Sequence, residues 1–234
     1  DFPSWWSHAD EHAIREQIWS RIEPGQVVLD VGAAYGSYVL PALARGAAHV
    51  YAWSPEARQA EMLSRSIDAN GWRGRCTIIQ AGLWSEEGWA EAFSGPRMSC
   101  FYVEPRFSPG SFPVTTLDRL AALLEIERVD WIKVDVEGAE VEVLHGALDT
   151  IDHFKPRILV ENHLFKDPLM GSRVAGVLTS HGYGAVETVT DPSADIPISH
   201  TLWTHGHAGP VRETPLDGSA AVRAARAHLL EEVG

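Results

Sequence analysis

Asp135 closes the apolar run Trp131-Ile132-Lys133-Val134, and Glu161-Asn162-His163 close the run Arg157-Ile158-Leu159-Val160. Acids and an amide at the ends of neighbouring strands offer oxygen ligands that suit Mg²⁺ or another hard divalent cation. Asp135, Glu161 and Asn162 are therefore a candidate metal set. His163 offers a different chemistry, since an imidazole titrates near neutral pH and can take the proton of an acceptor hydroxyl. Glu137 and Glu140 precede or open a helix, where acids are favoured by the helix dipole in any case; Glu137 joins Asp135 and His163 as a candidate catalytic group. Nearer the start, Asp30-Val31-Gly32-Ala33-Ala34-Tyr35-Gly36 follows directly on Val27-Val28-Leu29. An acid ends a buried strand, and two glycines four apart turn the chain into a helix while letting backbone approach a small ligand. The spacing is D-x-G-x-x-x-G, not the G-x-G-x-x-G of a dinucleotide site. An acid there repels a pyrophosphate and attracts an amine. S-adenosylmethionine (SAM), with its α-amino group and sulfonium, suits this loop better than a nicotinamide dinucleotide.

The rest of the chain must supply a scaffold for these groups. With 234 residues, 45% hydrophobic and 22% charged, a soluble globular domain with terminal additions is expected. No apolar run has the length of a membrane span, no secretory leader opens the chain, and the first residue is Asp1 rather than methionine. A net charge of −13 argues against binding a nucleic-acid backbone, which needs clustered Lys and Arg. Cys76 and Cys100 are too few for a disulfide framework or a cysteine metal site, so a reducing cytoplasm is the simplest setting.

Short apolar runs alternate with helical stretches, the pattern of a parallel sheet covered by helices. Ile14, Ile18 and Ile22 mark a helix that ends at Pro24-Gly25. Strands are expected at 27–30, 49–53, 76–81, 131–134 and 157–160, and helices at 38–45, 56–70, 116–125, 138–151 and 173–181. Residues 94–113, rich in Gly, Pro and Ser, read as loop with one short strand at 99–103. Segments 183–190 and 200–204 leave no room for a helix between them and predict an antiparallel hairpin at the sheet edge. Val222, Leu229, Leu230 and Val233 give the tail a helical face suited to packing. His200, His205 and His207 have no acid or Cys at ligand spacing and read as surface-loop histidines. Trp5 and Trp6 either cover the site or anchor the first helix.

Four blocks, in order, carry a family resemblance: Pro24-Gly25-Gln26-Val27-Val28-Leu29-Asp30-Val31-Gly32-Ala33, Val50-Tyr51-Ala52-Trp53-Ser54-Pro55, Thr115-Thr116-Leu117-Asp118 and Trp131-Ile132-Lys133-Val134-Asp135-Val136-Glu137-Gly138-Ala139-Glu140. Together they resemble the FkbM family of SAM-dependent methyltransferases over about residues 11–165, the last block being the most specific. The resemblance implies a Rossmann-like class I methyltransferase: a seven-stranded, mostly parallel sheet with an antiparallel edge hairpin and helices on both faces. It implies O-methylation of a hydroxyl on a sugar or polyketide-type natural product. It places Asp30, Gly32, Ala33 and Gly36 at the methionine end of the cofactor, with Asp135 bordering it, and Gly82 and Leu83 near the adenine. Core packing is the plain alternative for Leu83. Ser54 departs from the pattern, because the family usually has a Glu there to bind the ribose hydroxyls. Glu56 either reaches back to replace it or serves as a first-turn acid.

The division expected is an N-terminal helical segment (1–24), a methyltransferase domain (25–205) and a C-terminal tail with a helix (206–234). The partner expected is a small hydroxylated acceptor, with no nucleic acid and no membrane; homo-oligomerisation stays open. Two rivals are a catalytically silent SAM-fold binding module, suggested by Ser54, and a nicotinamide-dependent oxidoreductase, disfavoured by the glycine spacing.

Overall fold

The structure is a computed structural model that describes residues 14, 17–95, 98–104, 111–164, 167–190 and 198–215. Its central sheet has eight strands. β1 (Val27–Val31), β2 (His49–Trp53), β3 (Cys76–Ile79), β8 (Trp131–Val134) and β9 (Arg157–His163) run parallel in the order β3-β2-β1-β8-β9. β11 (Ile198–His205) then pairs antiparallel with β9, and β10 (Tyr183–Thr190) antiparallel with β11. All seven expected strands are present. The eighth, β12 (Arg212–Pro215), pairs parallel with β10 and forms the edge, so the sheet continues past residue 205. Its four residues, Arg-Glu-Thr-Pro, contain no apolar run, which hid it from a periodicity argument.

Residues on successive strand positions enter two separate cores, as a sheet buried on both faces requires. Leu29, Ile132 and Val160 pack in one, against Leu117, Leu144, Ile151 and Leu178. Val28, Trp131 and Leu159 pack in the other, against Ile18, Leu43 and Leu63. The first face is covered by α3 (Leu117–Leu123), α4 (Glu140–His145), α5 (Leu148–Phe154) and α6 (Met170–Ser180). The second is covered by the segment holding Ile14, Ile18 and Ile22, by α1 (Val39–Ala44) and by α2 (Ala57–Ala69).

Two expectations need correction. Among the described residues of 94–113, the short strand expected at 99–103 is present as part of a longer one, and further strand stands on either side of it where loop was expected. β5 (Gly88–Gly95) and β6 (Met98–Glu104) form an antiparallel ladder, and β7 (Ser111–Thr115) and β4 (Gly82–Leu83) complete a four-stranded second sheet. The single helix expected over 138–151 is two, α4 and α5. The break is set by α3: the Asp118 backbone N–H donates to the carbonyl of Gly146 at 3.0 Å. The Asp118 carboxylate accepts from the backbone N–H groups of Asp149 at 3.2 Å and Thr150 at 2.8 Å. The tail at 219–233 and Trp5-Trp6 lie outside the described residues.

Asp118 thus acts as the N-terminal cap of α5 from another helix. Asp118→Ala should lower stability by about 1–2 kcal/mol, read in a urea titration, with Asp118→Asn retaining part of the loss. An unchanged midpoint in the Ala variant would remove the cap.

Candidate active site

Asp30 on β1 lies directly beside Lys133 on β8 in the parallel register. Both side chains are buried, and Lys133 Nζ stands 3.5 Å from Asp30 Oδ1 and 2.9 Å from Asp135 Oδ2. The same ammonium lies 3.4 Å from the carbonyl oxygen of Gly32 and 4.4 Å from the Tyr38 ring centre. Burial disfavours the charged lysine, but Asp135 and Asp30 more than offset it, leaving the ammonium held above the usual lysine range. Lys133 drew no attention in the sequence reading, although a signal existed. A single lysine within a strand whose residues enter both cores must have a buried counter-charge.

At the carboxyl ends of β8 and β9, four carboxylates surround one imidazole. His163 Nε2 is 3.8 Å from Asp135 Oδ1, 3.5 Å from Glu137 Oε2 and 3.6 Å from Glu161 Oε1. Its other nitrogen, Nδ1, meets Glu140 Oε1 at 2.7 Å, and that oxygen also accepts from the backbone N–H of Gly138 at 3.0 Å. Burial would lower the His163 pKa, but the Glu140 hydrogen bond and the charges of Glu161 and Asp135 push it up to about 10. Burial and the neighbouring Glu161 push the Asp135 carboxyl up, against Lys133 and His163. Burial acts the same way on Glu161, but His200 outweighs it and holds that carboxyl below the usual range. Glu137 adopts a left-handed backbone, φ 58°, ahead of Gly138 at φ 107°. A non-glycine residue held there costs about 1–2 kcal/mol and brings this side chain to the cluster.

The expected metal set is not the one that assembles. Glu161 and His163 share a strand face, whereas Asn162 points to the other, where its amide Nδ2 donates to Ser199 O at 3.2 Å and Thr201 Oγ1 at 3.3 Å. Period-two alternation along β9 separates it from Asp135, and the group with converging ligand atoms is Asp135, Glu161 and His163. His200 is also misplaced by the sequence reading. It is buried in β11 opposite Glu161, with Nε2 2.9 Å from Glu161 Oε2. The acid that accompanies it is 39 residues away in the chain, beyond any spacing rule.

The turn after β1 hugs the protein itself. Gly32 has φ +88°, and a Cβ there would lie 1.7 Å from the carbonyl oxygen of Asp135; a Cβ on Gly36, φ +94°, would lie 2.5 Å from Leu63 Cδ1. Ala33 is buried among the apolar residues of its face, and its backbone N–H, like that of Gly32, donates to Trp53 O. At the end of β2, the buried Ser54 hydroxyl donates to Gln59 Oε1 at 3.2 Å. Glu56 accepts from the backbone N–H groups of Arg58 and Gln59, each at 2.9 Å, so both its oxygens cap α2. Gly82 pairs with Val114 in the second sheet, and Leu83 is buried in the core. The donor set fits SAM in kind: an acid near the end of β1 for the amine, and a hydroxyl with an adjacent amide after β2 for the ribose. A cavity of about 520 Å³ lined by Arg21, Arg157, Leu202 and His207 shares no residue with this cluster and lies toward the opposite end of β9.

A parallel sheet in this order with an antiparallel edge, a glycine turn after the first strand and polar groups at the carboxyl ends of the strands define a class I methyltransferase. The chain belongs to the Methyltransferase FkbM domain family, whose profile matches residues 30–184. That membership implies SAM as methyl donor. A methyltransferase FkbM from Methylobacillus flagellatus KT superposes with a TM-score of 0.55 at 16% identity, over 77% of this chain and 44% of that one. The chain thus spans less than half of that relative. An rRNA methylase from Streptococcus thermophilus gives a TM-score of 0.53 at 11% identity, covering 80% and 92% of the two chains. A conserved hypothetical protein of Streptococcus pyogenes gives 0.53 at 12%, covering 86% and 99%. At these identities the likeness is one of fold. No curated protein matches the chain in sequence. No helix among the described residues is long and apolar enough to cross a membrane.

The buried Lys133 makes a stability prediction. Lys133→Met leaves Asp30 and Asp135 without their shared cation and should cost about 3–5 kcal/mol in chemical denaturation. Adding Asp30→Asn should recover part of that loss. A Lys133→Met protein as stable as the parent would mean that the ammonium does not balance these acids.

Proposed function

We propose that this protein transfers the methyl group of SAM to a hydroxyl oxygen of a small hydroxylated acceptor, a sugar or a polyketide-type natural product. The observation that carries the reading is the cluster of Asp135, Glu137, Glu161 and His163 at the ends of β8 and β9, next to the turn after β1. SAM when bound supplies an electrophilic methyl on a sulfonium that leaves as a neutral thioether. The chain's part is to align the acceptor oxygen with that methyl and to receive its proton. Alignment is the larger contribution in principle. Asp135 and Glu137 are the carboxylates placed to take the proton, and His163, whose pKa its acidic neighbours raise to about 10, holds a proton of its own beside them. Asp30 anchors the amine end of the cofactor, and Ser54 with Gln59 faces the ribose. A divalent cation is the second cofactor of this reading, argued below.

A net charge of −13, with acids around the crevice, supports a small-molecule acceptor over a nucleic acid and fits a cytoplasmic enzyme. The silent-module alternative rests on Ser54 replacing a ribose-binding acid. Turnover of SAM on a panel of sugar and polyketide alcohols decides between them. Methylated product is expected from at least one hydroxyl compound, and SAM binding with no product from any would favour the silent module.

Two variants test the cofactor end. Asp30→Asn should weaken SAM binding at least tenfold by calorimetry; equal affinity would take Asp30 out of the site. Asn is the right probe because truncation to Ala would also strip Lys133 of a buried partner. Ser54→Glu should tighten binding by about tenfold or more, as expected for one charge-assisted hydrogen bond, because Glu56 is committed to its cap. No gain would show that Ser54 and Gln59 already suffice.

A further inference from the structure

We infer that Asp135, Glu161 and His163 form a binding site for one divalent first-row transition cation, Mn²⁺ or Zn²⁺ rather than Mg²⁺. The ligand atoms these three residues offer all lie within 4.8 Å of one another. His163 Nε2 stands 3.8 Å from Asp135 Oδ1 and 3.6 Å from Glu161 Oε1. Two ligands about 2.1–2.2 Å from one ion stand about 3.0–3.6 Å apart at octahedral or tetrahedral angles, so a contraction of a few tenths of an ångström brings each carboxylate to ligand spacing from His163.

The stronger argument is what holds the other atom of each ligand. Asp135 Oδ2 is fixed by Lys133 Nζ at 2.9 Å, from β8. Glu161 Oε2 is fixed by His200 Nε2 at 2.9 Å, from β11. His163 Nδ1 is fixed at 2.7 Å by Glu140, fully buried at the start of α4. Three anchors, from two strands and a helix, each turn a single donor atom toward the same point. A carboxylate behind the outer nitrogen of a histidine is the arrangement that sets tautomer and ring orientation in metal sites. An ion entering the site displaces the proton on Nε2, which leaves the Nδ1 proton directed at Glu140 and the Nε2 lone pair facing the ion. The mixed donor set, with Asn162 turned to the other face, sets the ion class: an imidazole favours Zn²⁺ and the other later first-row ions over Mg²⁺ and Ca²⁺, and the two carboxylates suit Mn²⁺.

Binding of the ion does not require methyl transfer. The inference rests on the function proposed above only for the ion's use, which would be Lewis-acid activation of the acceptor hydroxyl. The test is therefore made on the full chain without SAM. Titration with Mn²⁺, followed by loss of the free-ion electron paramagnetic resonance signal, should show one ion per chain. His163→Ala and Asp135→Asn should weaken that binding at least a hundredfold. Glu140→Gln, which touches no ion, should weaken it about 10- to 100-fold, and Asn162→Ala should leave it unchanged. Circular dichroism confirms folding of each variant, and His163→Gln replaces His163→Ala where the latter fails to fold. Absence of Mn²⁺ and Zn²⁺ binding at millimolar free ion, affinity unaltered in the His163 variants, or Mg²⁺ binding as tight as Mn²⁺ would each overturn the site. Methyl transfer that survives chelation in a protein that binds no Mn²⁺ would sink this inference and leave the proposed function standing. A bound ion in a protein without turnover would do the reverse.

Discussion

A lysine ammonium enclosed in the middle of the sheet sets the terms for everything around it. Removing such a charge from water costs several kcal/mol, and the position is tenable only because Asp30 and Asp135 stand on either side of Lys133. That requirement fixes the β1–β8 register, because Asp30 must lie opposite Lys133 and not one residue along. It draws the turn after β1 against the strand as well, with the Gly32 carbonyl within reach of the ammonium and the Gly32 α-carbon packed on the Asp135 carbonyl. Asp30 and Asp135 therefore share one cation. Neither can move without disturbing the other.

The same logic extends outward from Asp135. Each buried carboxylate or imidazole in the cluster is held by a partner from a different element: His200 from β11 holds Glu161, and Glu140 from α4 holds His163. Buried polar groups are costly unless satisfied, so these outer partners orient the inner groups. The unusual backbone at Glu137 and Gly138 places the Glu137 carboxylate at the cluster while the chain turns into α4. The site is thus built from the ends of β1, β8 and β9 and closed by an antiparallel strand and a helix start.

Membership of the FkbM methyltransferase family coexists with 16% identity to a structure that bears that name. The sheet asks only that apolar residues enter two cores from successive strand positions, a condition met by many sequences. The polar residues at the strand ends are bound by no such rule. Ser54, at the end of β2, stands beside an intact β2–β3 pairing and an intact α2 cap. Fold and reactive groups therefore vary separately.

Local pattern was enough for the parallel strands, the hairpin order and the ends of β2, β8 and β10, because burial on both faces leaves an apolar run that ends abruptly. It was also enough to pick out Asp30, Asp135, Glu161 and His163, polar residues standing where such runs stop. Other features depended on distant chain. Whether Asn162 or His163 joins Asp135 turns on which face of β9 each occupies, and a face has meaning only once β9 is registered against β8 and β11. His200 acquires its acid only when β11 docks on β9, α4 and α5 separate only because Asp118 reaches across from α3, and β12 forms only by pairing along β10. Sequence fixes which residues are polar and how often apolar ones recur. Pairing between segments far apart in the chain decides which polar groups meet, because a hydrogen bond of about 2.9 Å is a condition on space and not on spacing.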